Sequence, residues 1–171
     1  MDLILKAAAF AREAHAGQVR KYNGRPYITH PARVAGRAAV HPLASPTMVA
    51  AAFLHDVVED TGRPLSEIAA QFGPEVAAMV GELTNPSKGS SAPRDERKRR
   101  DRQHLAQVSI EAKVIKLLDR IDNLREMRGA SRSFVETYCS ESRALAEIVG
   151  EVDADLKKEL LVCIKELETE R

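Results

Sequence analysis

Tryptophan is absent from this chain, and Phe and Tyr bring the aromatic content to only 4%. Sheets draw on aromatic and β-branched side chains, so this scarcity weighs against a sheet-based fold. Cysteine is almost missing as well. Cys139 and Cys163 make neither a metal-ligand spacing nor a disulfide framework, and a reduced, cytoplasmic compartment is the simple expectation. Neither sign of charge prevails: 26 Lys and Arg stand against 25 Asp and Glu, a formal net charge of +1. That balance argues against a nucleic-acid coat or a membrane-surface protein, so an anionic ligand must be met by a local patch. No apolar run approaches the length of a membrane span. The apolar start from Met1 to Phe10 is broken by Lys6 and lacks a cleavage signal, so it reads as the first turns of an amphipathic helix. A soluble protein is expected, without a nucleic-acid or membrane partner; oligomeric state stays open, a homo-oligomer included.

What the chain does contain is 44% hydrophobic residues spread along 171 positions, enough to bury the core of one domain spanning 1–171. Ala, Leu, Val, Glu, Lys and Arg dominate, a helix-forming set. Leu3, Ala7, Phe10, Ala11 and Ala14 recur at helical spacing and predict a first helix over about 2–16. Asn23-Gly24 lies between short β-compatible runs and predicts a small β-hairpin. Helix resumes after His30-Pro31, and Ser45-Pro46 opens an Ala- and Val-rich helix running into His55-Asp56. Pro64 and Gly73-Pro74 punctuate two further helices, and Thr84–Pro93 reads as a loop. A dense charged run follows from Arg94 to Arg102. Helices are then expected over about 109–127, 133–150 and 153–169, giving an all-α, compact helical bundle with one small hairpin.

The segment His55-Asp56-Val57-Val58-Glu59-Asp60 ends an apolar helix in four ionisable groups. Helical spacing sets His55 above Glu59 and Asp56 above Asp60. Adjacent imidazole and carboxylate can chelate a transition ion, although the hexapeptide alone is equally well a polar helix end. His30 stands at a turn into a helix, where a surface or capping role is the ordinary one. Asp119 falls between Leu118 and Ile121 on an apolar face, where burial requires a metal or an ion pair with Lys116 or Arg120.

Together, His30, His55-Asp56 and Asp119 resemble the H…HD…D signature of the HD superfamily of metal-dependent phosphohydrolases. Three segments are similar, more narrowly, to the hydrolase domain of RelA/SpoT-type alarmone enzymes and especially to the small alarmone hydrolases. They are Arg20-Lys21 through Pro31, His55 through Thr61, and Lys116 through Arg125. This resemblance implies an HD-domain fold and one divalent ion, typically Mn²⁺, held by His30, His55, Asp56 and Asp119. It also implies hydrolysis of the 3′-pyrophosphate of guanosine tetra- or pentaphosphate, with adenosine nucleotides also open. Such an ion can lower the pKa of a water to about 7, while Glu59 and Asp60 would orient water and manage protons.

For this small-molecule nucleotide substrate the resemblance assigns Arg20 and Lys21 to base and phosphate, Asn123 to ribose or base, and Tyr138 to the pocket wall. Arg94 could contact the far phosphates. Each has a bland alternative: a solvated basic turn for Arg20 and Lys21, a half-buried core tyrosine for Tyr138, a solvated face for the charged run. Asp122 departs from the pattern, placing a negative charge where relatives often carry an aromatic residue or His. Two rival functions remain: an HD phosphohydrolase on another nucleotide, such as a monophosphate or an NADPH-like 2′-phosphate, or a silent alarmone-binding module.

Overall fold

The computed structural model describes residues 2–169. The expected domain of 1–171 extends past these limits by Met1, Glu170 and Arg171, which lie outside the described residues. Ten α-helices occur among the described residues: α1 (Leu3–Ala14), α2 (Thr29–Ala38), α3 (Pro46–Leu54), α4 (Val57–Asp60), α5 (Leu65–Phe72), α6 (Pro74–Leu83), α7 (Arg94–Leu105), α8 (Ile110–Arg125), α9 (Arg132–Val149) and α10 (Ala154–Thr169). The all-α expectation is met.

Local sequence accounts for most of the boundaries. Asp2 caps α1 by accepting from the Ile4 N–H, Ser45 caps α3 through Met48, and Ser109 caps α8 through Ala112. Each supplies a side-chain oxygen to an N–H that the first turn leaves unpaired. Gly73, at φ +88°, separates α5 from α6, and Pro74 opens the second helix where its missing N–H costs nothing.

Helix α3 is the hub. Met48, Val49, Ala50, Ala51, Ala52 and Leu54 are all buried, so the helix is apolar around its circumference. It packs against α1, α2, α6 and α8, and its alanines let these neighbours approach closely. Helix α8 forms the second axis, meeting α2, α9 and α10 with Val114, Ile115, Leu117, Leu118, Ile121 and Leu124 buried.

The hairpin expected around Asn23-Gly24 does not form. Among the described residues this segment has one isolated antiparallel bridge, Val19 with Pro26, and no paired strands. Two features explain the difference. A two-residue type I′ turn needs positive φ at both central residues, yet only Gly24 has it (+68°), and Asn23 instead accepts the Arg25 N–H on its side chain at 3.0 Å. Pro26 then offers no N–H to extend a ladder. The loop is held from outside as well, since Gly129 lacks the Cβ that would stand 3.3 Å from the Tyr22 carbonyl oxygen.

A second difference falls at the end of α3. The helix stops at Leu54 and restarts at Val57, leaving His55 and Asp56 at the break. The two i, i+4 pairs therefore do not sit on one continuous helix.

Candidate active site

Four side chains from three parts of the chain converge where α2, α3 and α8 meet. Ligand atoms of His30, His55 and Asp56 all lie within 4.8 Å of one another. His30 Nε2 stands 3.4 Å from Asp56 Oδ2 and 3.2 Å from Asp119 Oδ1, and His55 Nε2 stands 3.0 and 3.8 Å from the same oxygens. Both imidazoles are buried, and neither Nε2 has a hydrogen-bond partner. Their other nitrogens are engaged: His30 Nδ1 meets Asp122 Oδ2 at 2.6 Å, and His55 Nδ1 meets the Ala52 carbonyl at 2.8 Å. An Nδ1–H donating outward leaves the Nε2 lone pair facing the centre, the arrangement of a metal-ligating histidine. Two orphaned, buried nitrogens beside two carboxylates fit a divalent cation, and His30, His55 and Asp56 could hold one.

Electrostatics point the same way. Burial opposes charge on His30, but the carboxylates of Asp119, Asp122 and Asp56 outweigh it and push its pKa up to about 11. Burial likewise opposes charge on His55, and Asp56 prevails, raising it. Asp119 is held well below the usual carboxylate range, because Lys116, 3.2 Å away, and His30 override its burial. The ion pair between Lys116 and Asp119 foreseen from sequence is thus present alongside the imidazole contacts. A cation competes with protons for these same lone pairs.

Glu59 and Asp60 flank the cluster on α4 with different surroundings. Glu59 accepts from the Asn85 N–H at 2.5 Å and from Asn85 Nδ2 at 3.2 Å. Burial raises its pKa, with Lys116 and Asn85 pulling the other way. Asp60 accepts from the Tyr27 hydroxyl at 3.1 Å and from Lys88 Nζ at 3.1 Å. Tyr27 also donates to Asp56 Oδ2 at 2.8 Å, and burial together with Asp56 raises its pKa, so it stays a donor.

Beside the cluster opens a cleft of about 290 Å³ lined by Arg20, Lys21, Tyr22, Tyr27, Asn123, Glu126, Phe134 and Tyr138 among others. Four of the five expected nucleotide contacts line it: Arg20, Lys21, Asn123 and Tyr138. Lys21 Nζ lies over the rings of Tyr22 and Phe134, and Arg20 lies over Tyr27. Asn123 connects cleft and cluster, donating to Asp119 Oδ1 at 2.5 Å. Arg94 is not among the lining residues. It forms a two-pronged ion pair with Glu141 at 2.7 and 3.0 Å and lies over the ring of Phe134.

Several residues were missed in the sequence. Tyr27 stood inside the quoted motif without a role, and Asn85 and Lys88 belong to a loop with no periodic signal. Asp122 was read as a bare charge near the pocket, whereas it is buried and paired with His30 and Arg33. Glu126 was legible in principle, because Asp119, Asp122, Asn123 and Glu126 follow the i, i+3, i+4, i+7 rule of one helix face.

Comparison with known proteins places this chain in a family. The HD domain family matches residues 7–147. The guanosine-3′,5′-bis(diphosphate) 3′-pyrophosphohydrolase MESH1 of Xenopus tropicalis is 41% identical over 144 residues, covering 80% of this chain and 78% of the relative. Human MESH1 is 40% identical over 127 residues, covering 72% of this chain and 69% of its own length. The solved structure of a metazoan SpoT ortholog, described as hydrolysing ppGpp and acting in starvation responses, superposes with a TM-score of 0.87 at 28% identity, covering 97% of this chain and 96% of that one. The chain belongs to the HD domain family and, within it, to the group of the guanosine-bis(diphosphate) 3′-pyrophosphohydrolases.

Proposed function

We propose that this protein is a metal-dependent hydrolase that removes the 3′-pyrophosphate of guanosine 3′,5′-bis-diphosphate, leaving GDP. The carrying observation is the pair of orphaned Nε2 atoms of His30 and His55 facing Asp56 and Asp119 at the mouth of an aromatic, basic cleft. The activity of the relatives supports the same reading. One domain carries the reaction, in the cytoplasm.

His30, His55, Asp56 and Asp119 would hold the ion, with Mn²⁺ as the ion we assign to two imidazoles and two carboxylates. A bound ion supplies Lewis acidity toward a phosphoryl oxygen and acidifies a water. Arg20 and Tyr27 form one wall for the base, and Lys21 offers a cation to phosphate. Asn123 spans from the cleft to Asp119 and so sets the ribose side of the substrate against the cation site. Cleavage adds water across the bond between the 3′ oxygen and phosphorus: the phosphorus gains the oxygen, and the 3′ oxygen leaves with a proton. Glu59, with its raised pKa and both carboxylate oxygens oriented by Asn85, takes or gives that proton. Asp60 is held by the Tyr27 hydroxyl, which also steadies Asp56.

The test is a panel of purine nucleotides assayed with Mn²⁺, reading pyrophosphate and orthophosphate separately. Guanosine 3′,5′-bis-diphosphate is expected to turn over far faster than GTP, with pyrophosphate and GDP as products. Equal rates on both, or orthophosphate alone, would overturn the assignment. Asp119→Ala should abolish both Mn²⁺ binding and turnover, and full activity in excess chelator would remove the metal from the reaction.

A further inference from the structure

Seven side chains form one unbroken polar chain that begins and ends on the cation site. His30 Nδ1 meets Asp122 Oδ2 at 2.6 Å. Arg33 grips Asp122 with Nε and Nη2, at 2.6 and 2.9 Å, and reaches Glu126 Oε1 with Nη2 at 2.5 Å. Glu126 Oε2 accepts from Arg20 Nε at 2.6 Å, and Arg20 Nη2 donates to Asn123 Oδ1 at 2.6 Å. Asn123 then donates to Asp119 Oδ1 at 2.5 Å. Both ends are thus residues of the cation cluster, and Arg20, the fifth of the seven, is a wall of the nucleotide cleft.

The geometry points to Arg33 as a positioning residue that couples the nucleotide cleft to the cation site, acting through Asp122 on one side and Glu126 on the other. This rests on the reading above, which gives the cleft to a nucleotide and the cluster to a cation. Arg33 lines neither. It lies one turn beyond His30 on α2, while Asp122 lies in the last turn of α8 and Glu126, four residues on, caps that helix's C-terminus. Two carboxylates at that spacing repel unless a cation lies between them, and a planar guanidinium can satisfy both at once. Lysine offers a single point charge and cannot reproduce the fork. Groups behind metal-ligating histidines also set ligand orientation, and their loss typically costs about 10- to 100-fold in metal affinity.

A nucleotide that engages Arg20 therefore acts on a guanidinium whose position is tied to His30 by one path and to Asp119 by the other. Binding at the cleft favours the arrangement that holds the cation residues in place. Thermodynamic linkage makes the effect reciprocal: the cation must raise nucleotide affinity by the same factor.

GDP and Mn²⁺ are suitable probes, since GDP lacks the 3′-phosphates and its binding requires no turnover. Calorimetric affinity for GDP is measured with and without saturating Mn²⁺, and affinity for Mn²⁺ with and without GDP. The wild type is expected to show a coupling factor of about 5 or more, the lower end of the usual range for linked sites. Arg33→Leu should bring that factor close to 1, Arg33→Lys should restore part of it, and Arg37→Leu should leave it intact. Arg37 lies on the same helix and loses only its ion pair with Glu159. If Arg33→Leu fails to fold by circular dichroism, Glu126→Gln decides the matter, because it keeps the shape while removing the charge between Arg33 and Arg20. No coupling in the wild type, undiminished coupling in the variant used, or no GDP binding at all overturns the inference. Hydrolysis by the wild type is read separately: an active enzyme without coupling sinks Arg33's role alone, whereas absence of both Mn²⁺ binding and hydrolysis sinks the functional reading.

Discussion

Helices α3 and α7 are nearly opposite in chemistry. α3 carries no charged residue and is buried almost throughout, whereas α7 runs Arg94-Asp95-Glu96-Arg97-Lys98-Arg99-Arg100-Asp101-Arg102 and buries only Asp101 and Leu105. The first is fixed by packing on four neighbours, so the residues at its end, His55 and Asp56, inherit a position set by the core. The second is tied to α9 by the ion pair of Arg94 with Glu141, and carries pairs within its own turns, Arg100 with Glu96 and Lys98 with Asp101. Of these, the Arg100–Glu96 pair is exposed at both ends, and pairs of that kind contribute roughly 0–1 kcal/mol each. The difference teaches where chemistry can be placed: ligand geometry needs the rigid helix, and the charged one can supply only peripheral contacts.

The largest effects should arise where α3 ends. His55→Ala should remove cation binding and turnover together, read by metal analysis and a product assay. Glu59→Gln, four residues on, should lower turnover about 100- to 10,000-fold in single-turnover kinetics, with metal content and nucleotide affinity nearly unchanged. Loss of the metal in that variant would make Glu59 a ligand or a structural group, and full turnover would remove it from the chemistry. Arg94→Ala, at the start of α7, is expected to change activity less than about tenfold; a larger loss would bring α7 into the site.

Stability should divide the same way. Leu54→Ala removes a fully buried side chain at the hub and should cost about 2–5 kcal/mol in denaturant unfolding. A third helix terminus sharpens the scale. Asp153 accepts from the Leu156 N–H at 2.7 Å and meets His41 at 3.0 Å; the backbone bond and then His41 hold its carboxyl below the ordinary value. A lowered folded pKa means stability that is present above the unfolded value and lost as pH falls through the folded one. Asp153→Ala should therefore cost about 1 kcal/mol near neutrality, and the gap to wild type should close in acid below the usual Asp range. A gap that persists there would assign the effect to packing. Arg100→Ala, on the exposed face of α7, should stay within about 0.5 kcal/mol, and a larger loss would make that face structural.

Much of this architecture was legible in the sequence because caps, prolines and helical periodicity are local signals. Ser45-Pro46, Gly73-Pro74 and the apolar face of α8 each mark an element without reference to the rest of the chain. The four convergent residues were legible too, but through resemblance to a family, since no local rule brings His30 to Asp119. The hairpin failed within that segment: Asn23 lacks the positive φ that a two-residue type I′ turn needs, and pairing stops at the single Val19–Pro26 bridge, where proline has no N–H to carry it on. Glu126 could have been placed on the Asp119 face by its spacing, but its pairing with Arg33 was invisible, since nothing in a linear reading pairs residues 93 apart.

The two imidazoles differ in what stands behind them. His55 Nδ1 meets a main-chain carbonyl, that of Ala52, which every amino acid at that position would supply. His30 Nδ1 meets the carboxylate of Asp122, which one substitution can exchange for an amide or remove. Mutation can thus retune the basicity of one ligand while the other is conserved by the backbone itself. An ion held between them would have one adjustable partner and one invariant one, and selection for a tighter, weaker or different metal would have position 122 as its accessible control.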